Sequence, residues 1–275
     1  MTTWFITGCS TGFGRALAEA VLERGDNAVI TARNADVLGE LAAKHPATAL
    51  ALALDVTDAA QVAAAVRAAE DRFGGIDVLV NNAGHGYRAA VEEGEDAAVR
   101  ELFETNFFGL VEVTKRVLPG MRGRRSGVIV NLSSIAGRTA PLGSGYYAAS
   151  KYAVEGLSGS LRLEVQPLGI RVIVVEPGGF RTDFAGRSLG QSAEPIADYA
   201  STAGTRRKSA AEDGSQPGDP AKFAQAVIDA VESAEPPFRL LLGSDALART
   251  RAELAAQTAE VEAWADVSAS TDFPD

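Results

Sequence analysis

TGCSTGFG, residues 7–14, directly follows the apolar run TWFI at 3–6 and leads into the amphipathic segment RALAEAVLERG at 15–25. Its glycines, Gly8, Gly12 and Gly14, have the spacing GxxxGxG. Without Cβ atoms such a loop turns tightly and approaches a pyrophosphate, while N–H groups at the next helix N-terminus offer partial positive charge. An ordinary glycine-rich turn is the bland alternative. The strand before and the helix after argue instead for the first unit of a dinucleotide-binding fold, with Gly8, Ser10, Thr11, Gly12, Phe13 and Gly14 as its candidate cofactor loop.

Outward from this loop, short apolar or β-branched runs fall at 3–7, 28–32, 49–53, 78–80, 128–132, 171–175 and 239–242. Longer alanine-rich amphipathic stretches separate them at 12–23, 35–44, 59–73, 97–118, 147–166, 220–232 and 246–263. Alternation of this kind predicts an α/β chain with a doubly wound, seven-stranded parallel sheet, a Rossmann fold in three layers. With 275 residues, 46% of them apolar, one domain spanning 1–275 is expected. Residues 184–219 mix Gly, Ser, Pro and charge without sustained period. Placed after the sixth strand, they are expected to form a variable substrate or lid segment at the ligand-binding edge. Residues 246–275 read as a C-terminal helix and a frayed tail ending VSASTDFPD.

The formal net charge is −10, which argues against nucleic acid or an anionic membrane as partner. No apolar run approaches the roughly 20 residues that span a bilayer, and the N-terminus lacks a secretory pattern. One cysteine, Cys9, and two histidines, His45 and His85, make neither an intrachain disulfide nor a transition-metal cage. A cytoplasmic protein without a metal site is expected.

At the end of the second strand, where an NAD-binding chain often carries an acid, stand Ala32 and Arg33. Losing the carboxylate removes repulsion of a 2′-phosphate, and a guanidinium offers it planar donors, so NADP(H) is favoured over NAD(H). A solvent-exposed arginine at a helix start is the competing reading. Asp55 and Val56 follow the third strand as candidate adenine contacts; capping the next helix competes for Asp55, although Asp58 is better placed for it. Asn81, Ala83 and Gly84 close the fourth strand, where small side chains let the backbone pass near a ribose; Asn81 is equally suited to tying strand ends together.

Tyr147 and Lys151 are four residues apart near a helix start and so share one face. A nearby ammonium favours the phenolate, giving a phenol that can exchange protons near neutral pH. Tyr146 has only Ser150 at that spacing, which selects Tyr147. Ser133 and Ser134 end the fifth strand, where a hydroxyl could polarise a carbonyl or merely cap a turn. Cys9 has no adjacent base and reads as inert. His85 stays outside the catalytic set.

Together TGCSTGFG, NNAG, the Asn in ETNFFG, NLSSIAG, YAASK and PGGFRT resemble, in order and spacing, the short-chain dehydrogenase/reductase family over residues 1–182. The resemblance implies an oxidoreductase acting on a small carbonyl or alcohol substrate with NADP(H). In that scheme hydride passes between nicotinamide C4 and the carbonyl carbon, Tyr147 exchanges the proton, and Ser134, thirteen positions before it, hydrogen-bonds the substrate oxygen. Lys151 would bond the nicotinamide ribose, and Asn106 would hold a water that connects the lysine to solvent. Pro177 and Gly178 would let the chain pass the nicotinamide, Thr182 would meet its carboxamide, and Ser10 or Thr11 would touch a phosphate or ribose. The ending RLLLGSDA is similar to hydroxysteroid- or retinol-dehydrogenase-like relatives. A homodimer or homotetramer is implied by the same resemblance. A cofactor-binding sensor without turnover is the alternative, and the intact Ser134, Tyr147, Lys151 and Asn106 weigh against it. Phe180, Phe184, Leu189 and Tyr199 are candidates for an apolar substrate pocket, with loop packing as their competing role.

Overall fold

A computed structural model describes residues 1–184, 186, 188–208 and 214–273, with only the backbone of Lys208. Strands β1 (Thr3–Ile6), β2 (Asn27–Ala32), β3 (Ala49–Ala53), β4 (Val78–Asn81), β6 (Gly127–Leu132), β7 (Ile170–Pro177) and β9 (Arg239–Leu242) form one seven-stranded sheet. Its order is β3-β2-β1-β4-β6-β7-β9, and every pairing is parallel. All seven expected strands are present, with bounds shifted by at most two residues.

Alternation along the strands feeds two cores. Trp4, Ile6, Ile30, Val80, Val130 and Val175 pack with Leu17 of α1 (Gly12–Glu23) and Phe223 and Val227 of α8 (Pro220–Glu232). Phe5, Val29, Leu79, Ile129 and Val172 face the other way, onto α3 (Ala59–Phe73), α5 (Leu110–Arg124) and α6 (Gly145–Val165). Burial on both faces explains the nearly continuous apolar runs, because parallel strands are covered by their own crossover helices. Asp58 begins α3 by accepting the Ala60 and Gln61 N–H groups, and Asp219 begins α8 in the same manner ahead of Pro220.

Two expected helices are interrupted. The stretch 35–44 is a 3₁₀ turn, Ala35–Leu38, followed by α2 (Gly39–Lys44). The stretch 97–118 is α4 (Asp96–Phe103), a π-helical turn (Glu104–Gly109) and then α5. Apolar period does not distinguish a widened turn from regular helix, so the π segment, which carries Asn106, was invisible to it. A further pair, β5 (Gly86–Arg88) and β8 (Leu189–Gln191), forms a small separate parallel sheet. Three-residue strands containing glycine carry no periodic signal.

Within 184–219 the described residues also form α7 (Ala203–Lys208), whereas 185, 187 and 209–213 lie outside the described residues. Buried Glu93 accepts the Ile196 N–H at 2.7 Å and pairs with Arg207, while Glu95 accepts the Ala193 N–H at 2.7 Å and bonds Tyr87. The segment is thus fastened across the residues that follow β5. At the C-terminus, α9 (Ser244–Ala263) leads into α10 (Ala265–Ala269), so the start of the expected frayed tail is helical; residues 274 and 275 lie outside the described residues.

Candidate active site

The strand order reverses between β1 and β4, which opens a crevice at their carboxyl ends. A cavity of about 1250 Å³ lies there, lined by Gly8, Ser10, Thr11, Gly12 and Phe13 at one part and by Ser134, Tyr147, Lys151 and Thr182 at another. Loops following β1, β4, β6 and β7 therefore meet in one space.

Backbone proximity builds the floor of this cavity. A Cβ at Gly8 would lie 2.9 Å from Ala83 Cα, and one at Gly14 would overlap the Gly8 carbonyl oxygen and the Asn82 amide. The Asn82 Nδ2 group donates to the Thr7 and Gly8 carbonyls at 2.8 and 3.0 Å, pinning the loop. Gly14 supports the cradle from beneath, whereas Gly8, Ser10, Thr11, Gly12 and Phe13 face the cavity. This tight, side-chain-poor concavity at the α1 N-terminus fits a dinucleotide pyrophosphate. Phe13 stacks on Phe223 with ring centroids 3.8 Å apart, anchoring the loop to α8.

Arg33, exposed at the end of β2, lines the cavity beside Ala32. Asp55 and Val56 line it too. Asp55 Oδ1 accepts from the Thr57 N–H and hydroxyl at 2.9 and 2.8 Å, while Asp58 does the helix capping. Ala83 and Gly84 line the cavity, but Asn81 does not, a correction to its place among the cofactor contacts. The Asn81 amide is buried and donates to Thr114 Oγ1 and Asn131 Oδ1, both at 2.9 Å, so it ties β4 to α5 and β6.

At the chemical end Lys151 Nζ donates to the Leu132 carbonyl at 2.7 Å and lies 5.8 Å from the Tyr147 ring centroid. Burial lowers the Lys151 ammonium to about 8 despite the Glu155 carboxylate, which raises it. Burial pushes the Tyr147 phenol up to about 12, and a hydrogen bond with Ser134 works in the opposite direction. Desolvation thus outweighs the Ser134 hydrogen bond, and the shift runs opposite to the lowering expected from a nearby ammonium. Ser134 begins a 3₁₀ turn by accepting the Ala136 N–H at 3.1 Å. Tyr146 turns away from the cavity and donates to the Val91 carbonyl at 2.6 Å, in keeping with the choice of Tyr147.

Asn106 is 1% exposed and does not line the cavity. Its Oδ1 accepts the His85 N–H at 2.9 Å, and its Nδ2 donates to the His85 carbonyl and to Ser150 Oγ at 2.9 and 3.2 Å. The π turn thereby clamps the loop after β4 against the start of α6. Pro177, Gly178, Thr182, Phe180, Phe184 and Leu189 line the cavity; Tyr199 does not, because its hydroxyl donates to Glu92 at 2.7 Å. Cys9 is fully buried, donates to the Ile6 carbonyl at 3.2 Å and is pushed up to about 12 by burial, which makes it inert.

Sequence patterning did not reveal the acid that holds the loop after β7: Asp245 Oδ2 accepts the Gly179 N–H at 2.9 Å. Nor did it reveal the charged cluster behind Lys151. Glu155 lies one turn further along α6 and pairs with Arg239 at 3.0 Å; Glu176 of β7, 0% exposed, has Arg138 and Arg239 each at 3.5 Å. Burial, then the Glu155 carboxylate, push Glu176 up to about 7 from 4.5. Between those values the folded chain keeps a proton that the unfolded chain has released, so stability falls as pH rises through the window. Glu176→Gln is expected to flatten this dependence by about 1–3 kcal/mol. Urea unfolding at about pH 5 and about pH 8 measures it, and an unaltered difference from wild type would place the titration elsewhere.

A parallel sheet with a phosphate-type loop at its switch point, and a serine, tyrosine and lysine facing the same crevice, defines a nucleotide-binding oxidoreductase architecture. A family model described as short chain dehydrogenase matches residues 2–192, and the chain belongs to that family. Oxidoreductase BOA17 of Botryotinia fuckeliana is 42% identical, over 96% of this chain and 97% of that protein. A short-chain dehydrogenase from Streptomyces avermitilis superimposes with a TM-score of 0.92 at 42% identity, covering 99% of both chains. Two more distant structures differ in bound nucleotide. One from Burkholderia phymatum is in complex with NAD (TM-score 0.80, 27% identity, 91% of this chain and 92% of that one). One from Burkholderia cenocepacia is in complex with NADP (TM-score 0.75, 25% identity, 95% and 96%).

Proposed function

We propose that this chain interconverts a carbonyl and an alcohol with a nicotinamide dinucleotide, preferring NADP(H), and that Tyr147 transfers the proton. The observation that carries the reading is that Ser134, Tyr147 and Lys151 line the same cavity as the glycine loop. When bound, the dinucleotide supplies or accepts the hydride. For reduction, Tyr147, still protonated at neutral pH, donates to the carbonyl oxygen, and Ser134 holds that oxygen by a hydrogen bond. Lys151, fixed by the Leu132 carbonyl, orients the ribose and presents positive charge beside the phenol as it loses its proton. Asn106 acts through position, holding the His85 backbone and α6 together, and is the proposed anchor for the water joining Lys151 to solvent.

Gly8, Ser10, Thr11, Gly12 and Phe13 receive the pyrophosphate; Asp55 and Val56 receive the adenine; Ala83, Gly84, Pro177, Gly178 and Thr182 surround the nicotinamide riboside. The described part of the segment 184–219 covers the substrate end of the cavity within one domain, a reading supported by Phe184 and Leu189 on the cavity lining and by the contacts of Ala193 and Ile196 to Glu95 and Glu93. Self-association through the helical stretches 97–118 and 147–166 is proposed by family resemblance, and Leu163 of α6, 68% exposed, supports an apolar contact there. The hydroxysteroid- or retinol-like ending and the apolar wall favour a bulky carbonyl. A sensor without turnover has no need of three reacting groups in one crevice.

Mixing purified protein with NADPH or NADH and a panel of ketones, aldehydes and secondary alcohols, and following nicotinamide absorbance, tests the reaction class; no turnover with any of them would refute it. The nucleotide preference rests on Arg33. Arg33→Ala is expected to weaken NADPH binding by about 10- to 100-fold, the loss of a charge-assisted contact, with a smaller effect on NADH. Fluorescence titration of both nucleotides is the check, and equal losses would remove Arg33 from the phosphate site.

A further inference from the structure

An acid of the C-terminal helix, to which the proposed chemistry gives no role, shapes the loop after β7. Strands β7 and β9 pair in parallel as far as Pro177 and Leu242, and the Gly178 N–H still donates to the Leu242 carbonyl at 2.9 Å. Beyond that point the two main chains part and Asp245 takes over, its Oδ2 accepting the Gly179 N–H at 2.9 Å. Consecutive N–H groups of an extended strand point to opposite edges, so two in succession directed at the β9–α9 segment mark the place where β7 turns out of the sheet. Asp245 is the acceptor at that turn.

The fit is close. A Cβ at Gly178 would overlap the Asp245 carboxylate, and one at Gly243 would lie 2.7 Å from its Oδ1. PGG at 177–179 and GSD at 243–245 thus interlock, with a glycine on each side making room for the acid. Asp245 stands in the first turn of α9, where a helix N-terminus stabilises negative charge. Yet its Oδ1 is buried without a hydrogen-bond partner, and among the described residues no cation forms an ion pair with it. Leaving a carboxylate oxygen in that condition is costly. An acid that served only the helix dipole would turn both oxygens to water.

The turn held by Asp245 lies where the reacting half of a dinucleotide has to go. Val175 pairs with Leu132, two residues before Ser134, so β7 runs out beside the serine. At the other end of the loop, the Thr182 Cβ is 3.4 Å from the place a Cβ would take at Gly12, in the pyrophosphate cradle. Residues 177–182 therefore reach from the serine to the cradle, and Pro177, Gly178, Gly179, Thr182 and Asp245 line the same cavity.

Resting on the dinucleotide reading above, we infer that Asp245 is a positioning residue for the nicotinamide riboside. By accepting the Gly179 N–H it fixes the turn against which that half of the cofactor is placed, and it takes no part in holding the adenosine half. Helix α9 thereby becomes part of the cofactor site.

Calorimetric titration with NADPH and with 2′,5′-ADP, which carries the adenosine half without the nicotinamide riboside, reads this without turnover. Asp245→Ala is expected to weaken NADPH about 10-fold, the loss of a charge-assisted hydrogen bond, and to leave 2′,5′-ADP within about 2-fold of wild type. Asp245→Glu is expected to match Asp245→Ala, because the added methylene has no room between Gly178 and Gly243. It keeps the charge at the start of α9, so the test stays decisive if Asp245→Ala fails to fold. Asp245→Asn still offers an oxygen to the Gly179 N–H and is expected to bring NADPH back to within about 3-fold of wild type. Titration with NADH and 5′-AMP repeats the comparison if NAD(H) is the preferred nucleotide. Equal losses for NADPH and 2′,5′-ADP, unchanged NADPH binding in both Asp245→Ala and Asp245→Glu, or an Asp245→Asn variant as weak as Asp245→Ala would overturn the inference and leave the reaction assignment standing. A wild-type chain that binds neither NADPH nor NADH would remove the dinucleotide reading and this inference together.

Discussion

Tyr147→Phe is expected to lower carbonyl reduction by about 10³-fold, some 4 kcal/mol of transition-state stabilisation, while dinucleotide binding persists. The ring stays, so its packing against Phe184, with centroids 5.5 Å apart, survives and only the exchangeable proton is removed. Replacement of the lost donor by its neighbours is limited: Lys151 is held by the Leu132 carbonyl beside the ring and is assigned to the ribose, and Ser134 is far less acidic than a phenol. Single-turnover reduction by prebound NADPH separates chemistry from binding. Turnover within a few-fold of wild type would remove Tyr147 from the reaction, whereas equal loss of binding and turnover would make it a structural residue.

The next largest effect is expected from one methyl group at Gly14. Its Cβ would overlap the Gly8 carbonyl, a backbone atom with nowhere to move because Asn82 pins that loop. Gly14→Ala should cost about 1–3 kcal/mol of stability through overpacking and weaken dinucleotide binding about 100-fold, or roughly 3 kcal/mol. Gly39→Ala is the control. It lies in α2 with nothing within 4 Å of the added carbon, so a neutral or slightly stabilising change is expected there. Urea unfolding with nucleotide titration checks both, and equal behaviour of the two variants would mean that the loop relaxes around the extra atom.

Much of this architecture was legible because its causes are local. The seven strands announce themselves as apolar runs since helices cover both sheet faces, and the spacing of Tyr147 and Lys151 places them on one helical face wherever that helix lies. Asn81 illustrates the limit. Two roles are open to it, and only the positions of Thr114 and Asn131, distant in sequence, show that its amide N–H groups are used between elements. The π turn around Asn106 leaves no mark in the sequence because apolar period tolerates an extra residue in one helical turn. For Tyr199 the sequence leaves a pocket role and loop packing open, and its hydroxyl bond to Glu92 places it in the packing of the segment.

The chain alone therefore determined the alternating element order, the glycine loop at the first strand end and the residues suited to proton transfer, all consequences of side-chain period and backbone freedom within about a dozen neighbouring positions. Tertiary structure decided which of those groups share a space. It placed the Tyr147 phenol where desolvation outweighs its hydrogen bond with Ser134, set Glu176 against Glu155, and joined Arg88 of β5 to the Arg206 carbonyl of α7. Charge proximity and dielectric environment depend on distances between segments far apart in the chain, and those distances exist only once the sheet has closed and its loops have met.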